Sequence, residues 1–344
     1  MIAKKSNNLV IGFTYNVEKQ PTADEPIDKY AEFDSTDTID HIQMALESSG
    51  HQVIPIEATK EALETLLNTK IDVIFNISEG FQNTEDRESI FPAIFEFLGI
   101  PHVGSDALCL AIKLDKATAK KIWASKGIPT ANFQIIEKLE DLDDLKLKFP
   151  IIVKPIHEGT SKGIFNDSLV ENREALSSIV ERVLRDYNQP AIIEEYIDGR
   201  EFTVTLIGND PYEVLPPVEI SFEGLPPEAK PFCSYEVKTI WDDPNSTVCP
   251  ADITPEQEAN LKATAILAYR AVNARDFGRV DMRMNKNDND TPYVLEINPL
   301  AGMSYSPEVN HSMIKASKAA GYEYNEFIVR LLNSGLERIG LLDN

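Results

Sequence analysis

Gly278-Arg-Val-Asp-Met-Arg-Met284 and Tyr293-Val-Leu-Glu-Ile-Asn298 flank the polar stretch Asn285–Thr291, and this pair of segments decides how the chain is read. In the first segment Arg279, Asp281 and Arg283 alternate with Val280, Met282 and Met284, the period of a half-buried strand. In the second, Leu295 and Ile297 form the apolar face and Glu296 and Asn298 the polar one. Paired as a hairpin with core face on core face, the two strands set Asp281 opposite Glu296 and Arg279 opposite Asn298. A one-residue slip would turn one strand's whole apolar set to the wrong side. Directly opposed carboxylates repel across a sheet unless something neutralises them. A divalent cation does this, and two carboxylates with an amide oxygen make an all-oxygen set suited to Mg²⁺, with Mn²⁺ as an alternative ion. Arg279 adds positive charge beside it for a phosphoryl or carboxylate group. The plainer alternative is an exposed strand face with Arg–Glu pairing.

A second chemical stretch is Phe149-Pro-Ile-Ile-Val-Lys154-Pro-Ile-His-Glu-Gly159-Thr-Ser-Lys-Gly163. A buried strand ends in Lys154, and a glycine-bounded, hydroxyl-rich loop follows that can aim backbone N–H groups at phosphate oxygens. Neither a Walker A sequence nor GxGxxG occurs in the chain. Gly159-Thr-Ser161-Lys-Gly163 matches the nucleophile-elbow pattern of serine hydrolases, but Pro155 ends the strand too early and no helix is expected before about Glu171. In Ile192-Ile-Glu194-Glu195-Tyr196-Ile197-Asp-Gly-Arg-Glu201 a strand carries carboxylates able to accept from an exocyclic amine and ribose hydroxyls. Lys116 and Lys238, taken singly, read as solvated surface charges.

Around these motifs, strands expected at Leu9–Phe13, Gln52–Ile56 and Ile71–Ile77 alternate with helical patterns at Thr38–Ser48 and Glu85–Leu98, which indicates a parallel, doubly wound sheet. Residues 16–36 break the alternation as a long, acidic loop. A helix over Lys113–Ser125 places a boundary near Leu114. Beyond it come strands at Ile151–Pro155 and Ala191–Ile197 around a helix from Glu171 to Tyr187. A third region from Glu201 has strands at Glu201–Ile207, Val214–Ile220, Gly278–Met284 and Tyr293–Asn298, and a helix capped by Thr254 and Gln257 with Pro255 at its first position, running to Ala274. Three α/β lobes follow: 1–114, 115–200 and 201–344. The 344 residues exceed the ~250–300 at which single cores stop growing.

The formal charge of −23 argues against generic binding to nucleic acid or anionic membranes. No apolar run approaches the ~18–20 residues that span a bilayer, and Cys109, Cys233 and Cys249 lack disulfide or metal-site spacing. A cytoplasmic protein with three inert thiols is expected.

Taken in order, Asp115-Lys116, Val153-Lys154-Pro155, Glu158-Gly-Thr-Ser-Lys-Gly163, Ile193-Glu194 through Glu201-Phe202, Tyr235-Glu-Val-Lys238, Gly278-Arg-Val-Asp281 and Leu295-Glu-Ile-Asn298 resemble the ATP-grasp ligases, in particular the D-alanine–D-alanine ligase branch. The likeness spans roughly residues 70 to 335. It implies an ATP-grasp fold with ATP between the central and C-terminal lobes. Lys116 and Lys154 would then meet the α- and β-phosphates under a lid carrying Thr160 and Ser161. Glu194 and Glu201 would hold adenine and ribose beside the backbone of Glu195, Tyr196 and Ile197, and Lys238 would meet the γ-phosphate. Asp281, Glu296 and Asn298 would hold two Mg²⁺ ions, and Arg279 would stabilise the transferring phosphoryl group. The implied reaction joins a carboxylate to an amine through an acyl phosphate, releasing ADP and phosphate.

At the substrate end the resemblance breaks down. The branch's N-terminal glycine-rich loop is replaced by the acidic segment Tyr15–Asp34. Its His-Gly pair reads Glu79-Gly80, the aromatic after Tyr235-Glu-Val-Lys238 is Thr239, and a serine expected to grip a carboxylate falls on Pro307. Glu79, Tyr235, Gly302, Tyr305 and Ser306 remain as expected substrate contacts. The reading is therefore a ligase for some other amino acid or peptide-like acid, with genuine D-alanyl-D-alanine synthesis as the alternative. A serine hydrolase using Ser161 and a nucleotide-binding protein without catalysis are the other classes. The family's members often form homodimers.

Overall fold

A computed structural model describes residues 8–22, 25–80, 84–241, 246–306 and 310–342. The first sheet is wholly parallel in the order β2-β1-β3-β4. It is built from β1 (Val10–Tyr15), α1 (Thr36–Ser48), β2 (Gln52–Glu57), α2 (Ala62–Asn68), β3 (Val73–Asn76), α3 (Arg87–Leu98), β4 (His102–Val103) and α4 (Ala107–Leu114). The strand–helix alternation in the sequence dictates this winding. Gly99, left-handed at φ +69°, ends α3.

The helix expected over Lys113–Ser125 is two helices. Asp115 leaves helical geometry at ψ 94°, closes α4, and caps α5 (Lys116–Ser125) by accepting from the Thr118 N–H at 2.9 Å. That turn aims Lys116 inward. The second sheet is antiparallel in the order β5-β8-β6-β7. It contains β5 (Phe133–Ile136), β6 (Ile151–Pro155), β7 (Leu169–Val170), α6 (Arg173–Asp186) and β8 (Ala191–Glu195).

The third sheet begins with β9 (Glu201–Ile207), β10 (Glu213–Val214) and β11 (Val218–Ile220). The single strand expected over Val214–Ile220 is thus two, because Pro216 and Pro217 have no N–H to continue a ladder. Next come α7 (Tyr235–Thr239), β12 (Thr247–Val248), α8 (Pro255–Ala271), β13 (Phe277–Asn285) and β14 (Thr291–Asn298), in the antiparallel order β12-β11-β9-β13-β14 with β10 on β9. The expected capping box opens α8, Gln257 N–H donating to Thr254 Oγ1 at 3.2 Å and Thr254 N–H to Gln257 Oε1 at 3.0 Å. The helix stops at Ala271.

Two closing helices, α9 (Ser312–Ala319) and α10 (Tyr324–Ile339), return to the first sheet. Phe327, Ile328, Leu331 and Leu332 share one buried cluster with Ile11, Phe13, Ile42 and Val73. The approach is close enough to require Gly335, where an added Cβ would lie 2.6 Å from Val103 Cγ2.

The β13–β14 hairpin has the expected register where it matters: Arg279 faces Asn298, Val280 faces Ile297 and Asp281 faces Glu296. Beyond Asp281 a bulge shifts the pairing, so Met282 faces Val294. Val294 and Ile297 therefore enter the core, and Leu295, expected there, faces a cavity instead. The bulge reconciles two core-facing sets that strict alternation cannot satisfy together. Among the described residues no helix is long and apolar enough to cross a membrane.

Candidate active site

All three sheets contribute to one cavity of about 650 Å³. Of the residues singled out from the sequence, Lys154, Thr160, Ser161, Glu194, Glu195 and Tyr196 line it from the central sheet and its loops. Ile197, Glu201, Lys238, Arg279, Asp281 and Glu296 line it from the opposite side, with Tyr235 and Gly302, and Glu79 enters from the first sheet. Lys116 and Asn298 lie just behind this lining.

Strand β8 ends in a charge triad at one wall. Glu194 Oε2 lies 3.3 Å from Lys154 Nζ and 3.1 Å from Lys120 Nζ, and Lys120 also donates to Thr130 Oγ1 at 2.9 Å. Burial pushes the Glu194 carboxyl up, but the two lysines outweigh it and hold it below its ordinary range. Glu194 Oε1 is buried without a hydrogen-bond partner, an acceptor left for a donor from the cavity. Lys120 was not anticipated from the sequence. Nor was Arg283, which donates from Nε to Glu201 Oε2 at 2.9 Å and from Nη1 to the Ile197 carbonyl at 3.0 Å. Its guanidinium also stacks 4.7 Å from the Tyr196 ring centroid.

On the hairpin wall, Asn298 Nδ2 donates to Asp281 Oδ2 at 2.8 Å and to Glu296 Oε1 at 3.3 Å, while Thr203 Oγ1 donates to Asp281 Oδ1 at 2.7 Å. Arg279 Nη2 stands 3.6 Å from Asp281 Oδ2. Burial pushes the Asp281 carboxyl up, with Glu296 adding to it against the pull of Arg279. Glu296 is pushed up by burial too, but Lys116, Lys238, Lys154 and Arg279 outweigh this and hold it at about 2. The Asn298 amide N–H₂ thus stands where two carboxylates converge. Turning that amide over, an assignment set by its surroundings, presents three oxygens to one point. The donor set fits a hard divalent cation.

Lys116, whose Nζ donates to the Glu158 carbonyl, is pulled below the ordinary lysine range by burial, with Lys154 and Lys113 adding to this against Glu296. Lys238 sits on α7, whose N-terminus Ser234 caps by accepting from the Val237 N–H at 3.2 Å. His311, also missed in the sequence, lines the cavity here. Its Nδ1 accepts from the Ser304 N–H at 2.6 Å, so a proton on the ring sits on Nε2. Burial, then Arg279 and Lys238, pull it down to about 4.

The Gly159–Gly163 loop holds Thr160 and Ser161 in the left-handed region, at φ +46° and +59°. Ser161 Oγ donates to the Cys233 carbonyl at 2.8 Å, so its hydroxyl proton is given to an acceptor that cannot serve as a base. Strand β6 stops at Pro155 and α6 starts at Arg173, so the strand–nucleophile–helix geometry of a hydrolase elbow is missing.

The acidic loop expected over residues 16–36 meets the glycine loop through Asp28 and Glu32. Asp28 Oδ2 accepts from the Gly163 N–H and from Tyr187 OH, both at 2.8 Å. Glu32 accepts from the Gly159 N–H at 2.8 Å and from Arg87 Nη2 at 2.7 Å.

The expected substrate contacts divide. Gly302 packs under His311, where a Cβ would come within 2.7 Å of the ring. Tyr305 lies outside the cavity lining, 47% exposed and stacked 4.5 Å from His41. Ser306 also lies outside it, its N–H donating to Ser304 Oγ at 3.2 Å. Pro307 falls outside the described residues. All three cysteines are free, and burial pushes Cys109 up to about 12 and Cys249 to about 11.

Residues 122–333 match the family model described as the D-ala D-ala ligase C-terminus. A D-alanine–D-alanine ligase of Acinetobacter baumannii is 32% identical over 296 residues, covering 85% of this chain and 88% of the relative. The chain belongs to the D-alanine–D-alanine ligase family. It shares this membership's hallmark, the ATP-grasp fold, with solved ligases. The ATP-complexed D-alanine–D-alanine ligase of Bacillus anthracis superposes with a TM-score of 0.73 at 23% identity, over 96% of this chain and 98% of that one. The VanG D-Ala:D-Ser ligase of Enterococcus faecalis gives 0.72 at 20% identity, over 95% and 99%. An uncharacterized protein, y4sG, of Sinorhizobium fredii is 35% identical over 303 residues, 86% of each chain. As a D-alanine–D-alanine ligase family member, the chain is an ADP-forming ligase.

Proposed function

We propose that this ligase uses ATP to activate the carboxylate of an amino acid or peptide-like acid as an acyl phosphate, which an amine then attacks to form an amide. The observation that carries this reading is one cavity wall on which Asp281, Glu296 and Asn298 converge with Arg279 and Lys238 in front and Lys116 behind, facing Lys154 and the glycine loop. Such a wall holds and polarises phosphates, and catalysis there rests on positioning and on stabilising charge as it develops.

The adenine amine and ribose hydroxyls would meet Glu194 and Glu201, with the backbone of Glu195, Tyr196 and Ile197 along the base. Lys116 and Lys154 would neutralise the α- and β-phosphates, Lys238 would approach the γ-phosphate, and Arg279 would stabilise the transferring phosphoryl group and the later oxyanion. Thr160 and Ser161 would cover the phosphates and keep water from the acyl phosphate. Asp281, Glu296 and Asn298 would hold Mg²⁺, which neutralises phosphate charge and orients the phosphates when bound. The 1–114, 115–200 and 201–344 division is proposed as the lobes that close on ATP, in a cytoplasmic enzyme acting on small molecules rather than nucleic acid or membrane.

A second reading, D-alanyl-D-alanine synthesis, is favoured by the names of the relatives at 32% identity. Against it stand Glu79 and the docked acidic segment at the substrate end. Phosphate and ADP release, measured over D- and L-amino acids and dipeptides singly and in pairs, tests both. Mg²⁺-dependent release with another pair supports the first reading, and robust turnover with D-alanine alone selects the second. Mg·ATP binding with no release for any member contradicts both.

A further inference from the structure

Two ammonium groups meet one oxygen at the end of β8. Lys120 Nζ lies 3.1 Å and Lys154 Nζ 3.3 Å from Glu194 Oε2, while Glu194 Oε1 is buried with no hydrogen-bond partner. The two lysines differ in what they can reach. Lys154, 12% exposed, lines the cavity and can turn to a phosphate. Lys120 is fully buried and lies outside the cavity lining. It projects from α5, which is anchored where Trp123 Nε1 donates to the Ala268 carbonyl of α8 at 3.1 Å. Its second partner, Thr130 Oγ1, accepts from Lys120 Nζ at 2.9 Å and donates in turn to the Val294 carbonyl of β14 at 2.8 Å. Lys120 is thus fixed from two sides, and Glu194 is the carboxylate its ammonium touches.

This difference matters once a nucleotide is bound. Phosphates would draw Lys154 away from Glu194, and a carboxylate 1% exposed with no counter-charge would take up a proton. A protonated carboxyl both donates and accepts, so it accommodates a 6-amino or a 6-oxo group on a purine alike; an ionised one only accepts. Against the upward push of burial, Lys120 is the stronger of the two lysines that hold Glu194 below its ordinary range. We propose that Lys120 is the positioning residue for the nucleotide base, holding Glu194 Oε2 so that Oε1 meets the base as an acceptor only, and that the site therefore takes a 6-amino purine and rejects a 6-oxo one. This deepens the proposed function: it rests on ATP being the nucleotide of this cavity and names the residue behind the choice of base. Lys120 itself touches neither base nor phosphate.

The test titrates the full chain with Mg·ATP and Mg·ITP, whose bases differ at position 6 of the purine, and compares the wild type with Lys120→Met, Lys120→Gln and Lys154→Met. The wild type is expected to bind Mg·ATP roughly tenfold or more tightly than Mg·ITP. Lys120→Met, close in length and uncharged, should lose most of that ratio, with ATP weakened and ITP not. Lys120→Gln, which keeps a donor to Oε2, should retain part of it. Lys154→Met should weaken both nucleotides and leave the ratio as in the wild type, because the phosphates are common to both. A purely structural role for Lys120 would instead lower the melting temperature and weaken both nucleotides alike. A wild-type ratio in either Lys120 variant, or a wild type that binds the two nucleotides equally, overturns the inference while leaving the ligase reading standing. A wild type that binds neither nucleotide overturns the ligase reading and the inference with it.

Discussion

Glu194 is one carboxylate answering two ammonium groups, the buried Lys120 and the cavity-lining Lys154, and it is itself 1% exposed. Neutralising it leaves the buried Lys120 without its counter-charge and beside a second like charge. Removing one partner of a buried pair is costly, so Glu194→Gln is expected to lower stability by about 3 kcal/mol and to weaken nucleotide binding. Urea unfolding and a nucleotide titration check this, and unchanged values in both would refute the pairing. Lys120 shows where a sequence reading stops at this scale. It lies four residues after Lys116 and three before Trp123, on the buried face of α5, so the helical period marks it as inward. A lysine there reads as a solvated charge until its partner is known, and Glu194 is 74 residues away. Arg283 was legible as a member of the Arg279–Asp281 face, but its bond to Glu201 crosses to a different strand. By contrast Asp281, Glu296 and Asn298 were placed correctly relative to one another, because a hairpin register is a local question with one buried face.

Between elements, the docking of α10 on β4 has a pH signature. His102 is buried on β4, its Nε2 is 3.3 Å from Arg275 Nη2, and Arg338 Nη2 donates to its carbonyl at 2.8 Å. Burial, then Arg275 and Arg338, pull the imidazole down to about 4. For a base lowered in the folded state, the unfolded chain takes up the proton first, so stability is lost as pH falls below the unfolded value and levels off below about 4. From pH 7 to pH 5 this group alone should remove about 2 kcal/mol. Urea unfolding at the two pH values measures it, and His102→Gln should flatten the dependence; an equal slope in the variant would contradict it. The elements themselves were largely legible, because period, caps and glycines are local. What was not legible followed from contacts distant in sequence. The bulge at Leu295 appears only when β13 and β14 must both bury their own apolar sets. The docking of the acidic loop was not legible because Glu32 finds Arg87 55 residues on, and Asp28 finds Gly163 135 residues on.

Across the whole molecule, a net charge of −23 coexists with the site proposed for ATP, itself an anion. The proposed site resolves this locally: Lys154, Lys238 and Arg279 line one cavity with Lys116 acting on Glu296 from behind it, and Asp281 and Glu296 among them would form a seat for a cation. Close pairs in a low-dielectric interior outweigh distant, screened surface charge. The central claim, that ATP activates the substrate's own carboxylate on this wall, is tested most directly by following oxygen. With the acid substrate labelled by heavy oxygen in its carboxylate, the account predicts transfer of one labelled oxygen per turnover to the released phosphate. Loss of both turnover and transfer is expected in Asp281→Asn, with the fold retained. Turnover that releases only unlabelled phosphate would contradict it.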